Sequence, residues 1–541
     1  MSTQALHPHR HGRPPGAPRI TRAYARTKAT RLLSAGTYLD PGYRRAVIRE
    51  LLTKRFRVVA PSYGYDAVSV LAHALAARRL RRIQWSVAAG SAVVLLLLTA
   101  RGSLGSFIAV QLLCWVLWGA AYLRRLVTLH TLMTRLKGTR PDGGFDGSYP
   151  ACGKLTDALI DKIDHEQSAH TGLVFYGGFQ PFVGAGEPLR DWSNAQLLLG
   201  APKDRIAARR HFDGDGDGTG PALDDVERRP VLPFTVHDIT TYVATRMAAE
   251  LRDEARHDER VEGLTVEQRR YTTAVRTNDR TLAAGWSRLP GTDDLPGIHW
   301  REDYDSAREY LCVRVSSWNE ELVTSMFVGF DLKGDTLHTE FHTYALGPLV
   351  QEFHLVDLLP DTFDGRLALR VAWDMVKVVP HLALALSLWP LRLLPEHLLP
   401  RSVRRVVRPR PAGRSYAGFI AESADAVDNS EFRLGRYTNE TADCGALTSV
   451  REMATSDTFH HFFQKSDARK YMQIVERRLL HNIRLFLREH HVDLADHDRA
   501  QTNILFGDNT QAVFGGHNEN FGYNHHSGGS GPSGSRGAQS S

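Results

Sequence analysis

Cysteine is scarce: the 541 residues hold four, Cys114, Cys152, Cys312 and Cys444, and no two stand at C-x-x-C spacing. Such separation argues against a zinc knuckle or a disulfide framework and for a reducing compartment. Acidic residues are missing from Met1 to Arg31, a stretch rich in Arg, His and Pro. It also lacks an apolar h-region, so no cleavable secretion signal is expected, and residues 1–30 read as a disordered basic arm. No G-x-x-x-x-G-K-[ST] phosphate loop is present, and Gly184-Ala185-Gly186 lacks the third glycine of a dinucleotide loop. His165 and His170 are five apart, about 140° around a helix, where zinc-binding pairs stand four apart. No local nucleophile motif accompanies them, and no cofactor is expected.

Charge is missing where it matters most. Ile83 to Ala100 (IQWSVAAGSAVVLLLLTA) and Leu104 to Leu123 (LGSFIAVQLLCWVLWGAAYL) carry none, and only Arg101, Gly102 and Ser103 separate them. Each run is long enough to cross a hydrocarbon core of roughly 30 Å, and three residues between them force the second helix back. Arg78, Arg79, Arg81 and Arg82 precede the first run, while Arg124, Arg125, Arg135 and Lys137 follow the second. The positive-inside rule then puts both ends, and both termini, on the cytoplasmic side of the cell membrane. Trp85, Trp115, Trp118 and Tyr122 suit the headgroup layer. Gly105, Ala109, Gly119 and Ala120 allow close helix approach, and Gln111 suits helix–helix hydrogen bonding rather than a transport path.

The formal net charge of +7 favours an acidic partner. The arginines cluster at the ends of apolar segments, which points to anionic lipid rather than nucleic acid. Met375 to Leu394 is apolar but interrupted by Lys377, Pro380, His381, Pro390 and Arg392, and Arg401, Arg404, Arg405, Arg408, Arg410 and Arg414 follow it. An element lying on the inner leaflet fits this pattern, as does a helix buried against the body with a solvated basic tail.

The expected fold class is α+β: a two-helix transmembrane hairpin with a cytoplasmic mixed α/β body. Residues 31–82 form a cytoplasmic helical segment, with Asp40-Pro41 as N-cap and first helical residue and a second helix starting near Asp66. Residues 83–123 are the hairpin and 124–150 a linker, rich in Gly, Asp and Pro from Gly138. The body, 151–370, has strands at Leu173 to Val183, Ala195 to Leu199, Glu309 to Val315, Leu322 to Leu332 and Thr336 to Leu346, and a helix at Val236 to Leu251. Short turns between the last three strands predict an antiparallel meander. An apolar and basic membrane-proximal segment, 371–414, precedes 415–500, which carries a long helix from Asp467 to Glu489 with Tyr471, Val475, Leu479, Ile483 and Phe486 on one stripe. That stripe is either core or a seam for a homo-oligomer. A β-hairpin at 501–521, with Phe-Gly pairs among Asn and Gln, and a disordered tail at 522–541 complete the chain.

Several stretches resemble a family of uncharacterised actinobacterial two-helix membrane proteins. They are Tyr38-Leu39-Asp40 through Val59-Ala60-Pro61-Ser62-Tyr63-Gly64, Gly178-Phe179-Gln180-Pro181-Phe182-Val183-Gly184-Ala185-Gly186, Tyr310-Leu311-Cys312-Val313-Arg314-Val315 with Trp318 and Glu321-Leu322-Val323, and Thr502-Asn503-Ile504-Leu505 to Gly515-Gly516. The resemblance runs from about residue 31 to 521. It implies a two-helix anchor with cytoplasmic domains and carries no activity, ligand or site.

Three groups could hold a cation. His338, Glu340 and His342 alternate on one strand, so all three side chains face the same way, where a divalent metal could meet two imidazoles and a carboxylate. The solvated face of an edge strand explains the same pattern. Asp213, Asp215, Asp217 and Asp224 mimic a calcium loop, but Pro221 interrupts it and Asp replaces the final Glu, so a flexible acidic loop is the simpler reading. Glu352-Phe353-His354 repeats a local triplet with nothing to tie it to the first. The expected function is a non-enzymatic, membrane-anchored scaffold or signalling component, with a metal-dependent enzyme using His338, Glu340 and His342 as the alternative.

Overall fold

A computed structural model describes residues 24–54, 57–103, 105–137, 145–169, 172–203, 227–273, 307–360, 362–381, 383, 445–456, 458–495, 497–498 and 501. Arg401, Arg404, Arg405, Arg408, the aspartates 213–224 and the expected hairpin at 501–521, apart from its first residue, lie outside them.

The N-terminal unit is helical. Helix α1 (Lys28–Leu39) takes in the last three residues of the expected basic arm, with Thr27 capping Thr30 N. Asp40 stops α1, caps Gly42 N and starts α2 (Pro41–Ile48), where Pro41 needs no amide partner. Asp66 accepts from Val68 N and Ser69 N and starts α3 (Ala67–Ala100), one helix that begins inside the core and runs on through the first uncharged run. Helix α4 (Ser106–Thr131) returns and ends in a wide turn, Leu132–Leu136, whose Leu132, Met133 and Leu136 are buried. The start of the expected linker is therefore helix, fixed by Arg31, which donates to Leu136 O and pairs with Asp357. Helix α5 (Asp157–Ser168) closes this core, together with Leu349, Val350, Phe353 and Val356.

The body is one six-stranded sheet. Strands β1 (Leu173–Tyr176), β2 (Glu187–Leu197), β3 (Leu264–Thr273), β4 (Arg308–Ser317), β5 (Leu322–Lys333) and β6 (Thr336–Leu346) lie in the order β1-β3-β4-β5-β6-β2. The expected meander β4-β5-β6 is present and antiparallel, and β1 pairs parallel to β3. Strand β2 covers the far side of β6, so β6 is an interior strand. Leu311, Val313, Met326, Val328, Leu337 and Phe341 form one apolar face, covered by α6 (Val236–Ala248) and α8 (Phe462–Glu489). Val475, Leu479, Ile483 and Phe486 of α8 are all buried there, each worth up to about 1.5–3 kcal/mol. The stripe that could have been an oligomer seam is thus spent inside the molecule. A short helix, α7 (Gly365–Val376), packs against α4.

The opposite face is polar and half covered by the N-terminal unit. Glu267 bridges Arg314 (2.9 Å) and Arg269 (2.7 Å), and both guanidinium groups lie over the Tyr63 ring. The fully buried Arg451 donates to Tyr63 O at 2.6 Å. Burial drives its pKa down to about 10, against the opposing pull of Glu320 and Glu321. Its neighbour Glu452 accepts from Gly184 N (2.8 Å), Gly186 N (3.2 Å), Ser449 N (2.7 Å) and the Thr448 hydroxyl (3.3 Å). Gly186 has φ +94° and a Cβ there would stand 2.3 Å from Ala345 O, so only glycine fits beneath that carboxylate.

Glu452→Ala should leave those four donors unmet and lower stability by about 3 kcal/mol or more, read as a drop in Tm of the full chain. Glu452→Gln should lose less, because its amide carbonyl still serves one pair of donors while its NH2 confronts the other.

Candidate functional site

The alternation of β6 puts His338, Glu340 and His342 on the polar face, as their spacing predicts, with Leu337, Thr339 and Phe341 behind them. Their β2 partners are small or polar, Ala195, Ser193 and Asp191, while on β5 Asp331, Gly329 and Phe327 stand opposite His338, Glu340 and His342. Small neighbours leave this row open to solvent, and all three side chains are partly exposed.

Gly329 is what assembles the site. A Cβ at that position would stand 2.7 Å from Tyr310 Cε1, so its absence lets the Tyr310 ring cross β5. The Tyr310 hydroxyl then donates to Glu340 Oε2 at 2.7 Å. Arg308 Nη1 lies 3.7 Å from Glu340 Oε1, His338 Nε2 3.3 Å from the same oxygen, and His342 Nε2 3.9 Å from Oε2. Glu340 is therefore the hub, addressed by four side chains from two non-adjacent strands. Partial burial works against its ionisation, but the Tyr310 hydrogen bond, Arg308 and the two histidines outweigh it and hold the carboxyl below its ordinary range. Burial and the Glu340 bond together push the Tyr310 phenol well up.

One wall is aromatic. Phe182 stacks on Phe327 (4.0 Å between centroids), meets Tyr271, Tyr310 and Tyr344 edge-on, and tilts over His342 at 5.5 Å. The loop carrying Phe182 is the one pinned by Glu452 through Gly184 and Gly186. Next to it Phe179 is almost fully exposed, and Gln180 Oε1 accepts from Tyr344 at 3.4 Å. The result is a partly exposed face that carries Arg308, two imidazoles, one carboxylate and a π surface.

As a metal centre the three expected ligands converge, but on one another: both imidazoles point to Glu340, which Tyr310 and Arg308 also engage. Among the described residues no group of three or more His, Cys, Asp and Glu is disposed to hold a metal ion. Among the described residues, two that stand with the other sequence candidates, Glu166 beside His165 and Phe353, serve the fold. Glu166 accepts from Val59 N and pairs with Lys162, and Phe353 of the Glu352–His354 triplet is buried in the helical core. Tyr310 is not signalled by the sequence because its reach depends on a glycine in another strand, and Arg308 because its contact with Glu340 crosses from β4 to β6. Arg269, Arg314, Arg451 and Glu452 escaped because charged residues read as surface.

A family model described as AbeC-like domain matches residues 191–521, more than half of the chain. The match begins within β2 and takes in the row of Glu340 and its partners, leaving the two long apolar helices outside. No curated protein and no solved structure matches the chain.

Gly329→Ala should push the Tyr310 ring off its path and break its bond to Glu340, costing about 1–3 kcal/mol and returning the Tyr310 absorbance titration toward that of an ordinary phenol. For Glu340 the sign follows from its lowered folded pKa: its contribution is present above the unfolded carboxylate pKa and is lost as pH falls through the folded value. Glu340→Gln should therefore be less stable than the parent at neutral pH by about 1 kcal/mol, and the gap should close on acidification, as measured by denaturant midpoints between pH 7 and pH 3.

Proposed function

We propose that this chain, which belongs to the AbeC-like domain family, is a membrane-anchored scaffold or signalling component whose α+β body sits at the cytoplasmic surface. The observation that carries this reading is the state of the apolar side chains on α3 and α4. Both helices are long and apolar enough to cross a membrane, and only 11% and 17% of their most apolar windows is buried inside the molecule. Val93, Val94, Leu96, Leu97, Phe107, Ile108, Val110 and Trp115 are each more than half exposed. A core helix of a water-soluble fold hides such residues, and a bilayer is the solvent that accepts them uncovered. Gly102 closes the connecting turn at φ +70°, giving α3 and α4 the hairpin path that two adjacent spans require.

On this reading the arginines at the base of the hairpin, with Arg401, Arg404, Arg405 and Arg408 further along, meet the anionic inner leaflet. The polar face around Glu340 is the surface offered to a partner; with the stripe of α8 buried, any self-association would come from residues 501–521. A second reading, a divalent metal held by His338, Glu340 and His342 in an enzyme, rests on the three side chains standing on one face of β6.

The full chain should stay in the membrane pellet through alkaline carbonate. A cysteine placed by Ser103→Cys should react with an impermeant maleimide in intact cells, while one at exposed Thr241 should not. Release into solution without detergent, or labelling at Thr241→Cys, would overturn anchoring or sidedness respectively. Light scattering in mild detergent should give more than one copy per particle; a strict monomer removes the self-association. Metal analysis of protein purified without chelator, set beside the His338→Ala, His342→Ala double variant, decides the second reading: equal, negligible metal in both ends it.

A further inference from the structure

Helix α7 has two apolar faces and the molecule uses only one of them. Val371 is buried, and Ala372 O accepts from Trp118 Nε1 at 3.0 Å, which fixes α7 against α4. On the outer side Leu369, Trp373 and Val376 stand 74%, 70% and 51% exposed. At 100° per residue these three share an arc of about 60°, and Arg366, Arg370 and Lys377 fall in the adjoining arc of about 40°. Arg366 and Arg370 are exposed as well and, with Leu369, Trp373 and Val376, line a shallow groove against Trp118.

The position along α4 identifies the occupant. Trp118 lies six residues before Arg124, so the contact sits about 9 Å from the cationic ring toward the apolar run. An amphipathic helix in the headgroup and acyl boundary buries its apolar face by roughly 5–10 Å, which is the same level. Trp118 also stacks on Tyr122 and meets Trp115 edge-on, the aromatic belt expected at that depth. The exposed arc of α7 therefore continues the uncovered apolar surface of the hairpin at its inner rim, and its cations stand where phosphate headgroups would be.

We infer that α7 is an interfacial helix that beds Leu369, Trp373 and Val376 into the inner leaflet while Arg366 and Arg370 hold anionic lipid headgroups. It would thereby set the body flat against the membrane at a third point, beside the two spans. The inference rests on the anchoring proposed above. Long cationic stems beside an indole suit this placement, because they cover apolar surface and still return their charge to the headgroup layer.

The test uses the full chain in vesicles of phosphatidylglycerol and phosphatidylcholine, with Cys114, Cys152 and Cys444 replaced by Ser and the fully buried Cys312 retained. Nitroxide labels are placed one at a time through Leu369→Cys, Trp373→Cys, Val376→Cys, Leu97→Cys and Thr241→Cys, and collision with oxygen is compared with collision with a water-soluble nickel complex. Labels at 369, 373 and 376 should give an oxygen-to-nickel ratio several-fold above that at 241 and below that at 97. Arg366→Glu with Arg370→Glu, or removal of phosphatidylglycerol, should bring the ratio at 373 down toward the value at 241. A water-like ratio at 373 with a lipid-like ratio at 97 overturns the inference and leaves the anchor standing. Water-like ratios at both overturn the anchor and the inference together. Low access to both reagents at 373 with spin coupling between copies makes the occupant a second copy of the chain, and a ratio indifferent to charge and lipid refutes the headgroup contact.

Discussion

Arg451 and Glu452 join the two halves of the molecule through a single buried turn. The arginine reaches the Tyr63 carbonyl, just before the cap that starts α3, and the carboxylate gathers the amides of the loop that carries Phe182. Both charges are out of water, so each must be satisfied by fixed partners or destabilise the fold. The helical unit, the sheet and the aromatic wall of the Glu340 cluster all hang on these two side chains. Neighbouring backbone strain is absorbed at the same place. Trp318, Asn319 and Glu320 have φ of 55°, 55° and 68°, a run of three left-handed residues that costs about 1–2 kcal/mol each. Trp318 offsets this by stacking on His461 and donating to Asp467 at 3.0 Å, while Glu321 pairs with Lys28 at 2.9 Å.

The sheet separates two kinds of chemistry by its pleat. Its apolar face is filled by α6 and α8, where Glu476 is a buried carboxylate held by Arg190 and the Trp192 indole. Its polar face is shared between the arginine layer under Tyr63 and the open row at Glu340. Shifting β6 by one residue would exchange Phe341 with Glu340 and place a carboxylate in the apolar core, so the cross-strand register is strongly specified. The same alternation that makes the core thus makes the candidate site.

Much of this could be read from the residues, and the failures have physical causes. The uncharged runs, the caps Asp40 and Asp66, the meander and the shared face of His338, Glu340 and His342 follow from hydropathy, capping and a period of two. Helix α1 falls in the expected helical segment 31–82, but its own bounds are illegible because its apolar pattern is diluted by Thr, Ser and Gly, which are buried here. Strand β3 and most of β2 were missed for a different reason. In β3 the covered positions of the polar face carry Glu267 and Arg269, and in β2 exposed Asp191, Ser193 and Ala195 alternate with half-covered Trp192 and Asn194, so neither strand shows the apolar alternation on which strand recognition depends. The Tyr310 bridge was beyond any local pattern, since it needs the missing side chain of Gly329 one strand away. The placement of β6 in the interior also required β2, whose pairing no spacing rule discloses.

The unbroken course of α3 carries a mechanical corollary. Thirty-four residues make a rod about 50 Å long, whose first three turns are wedged among α1, α2 and α5 and whose remainder is covered only along its seam with α4, where Gln84 and Ala88 are buried. The helix runs unbroken even through Gly90 and Ser91, so a lipid phase that forced the outer part to lean, by being thinner or thicker than the apolar run, would turn the wedged part with it. Torque of that origin would be delivered to Asp66 and, through Tyr63, to the arginine layer beneath the sheet.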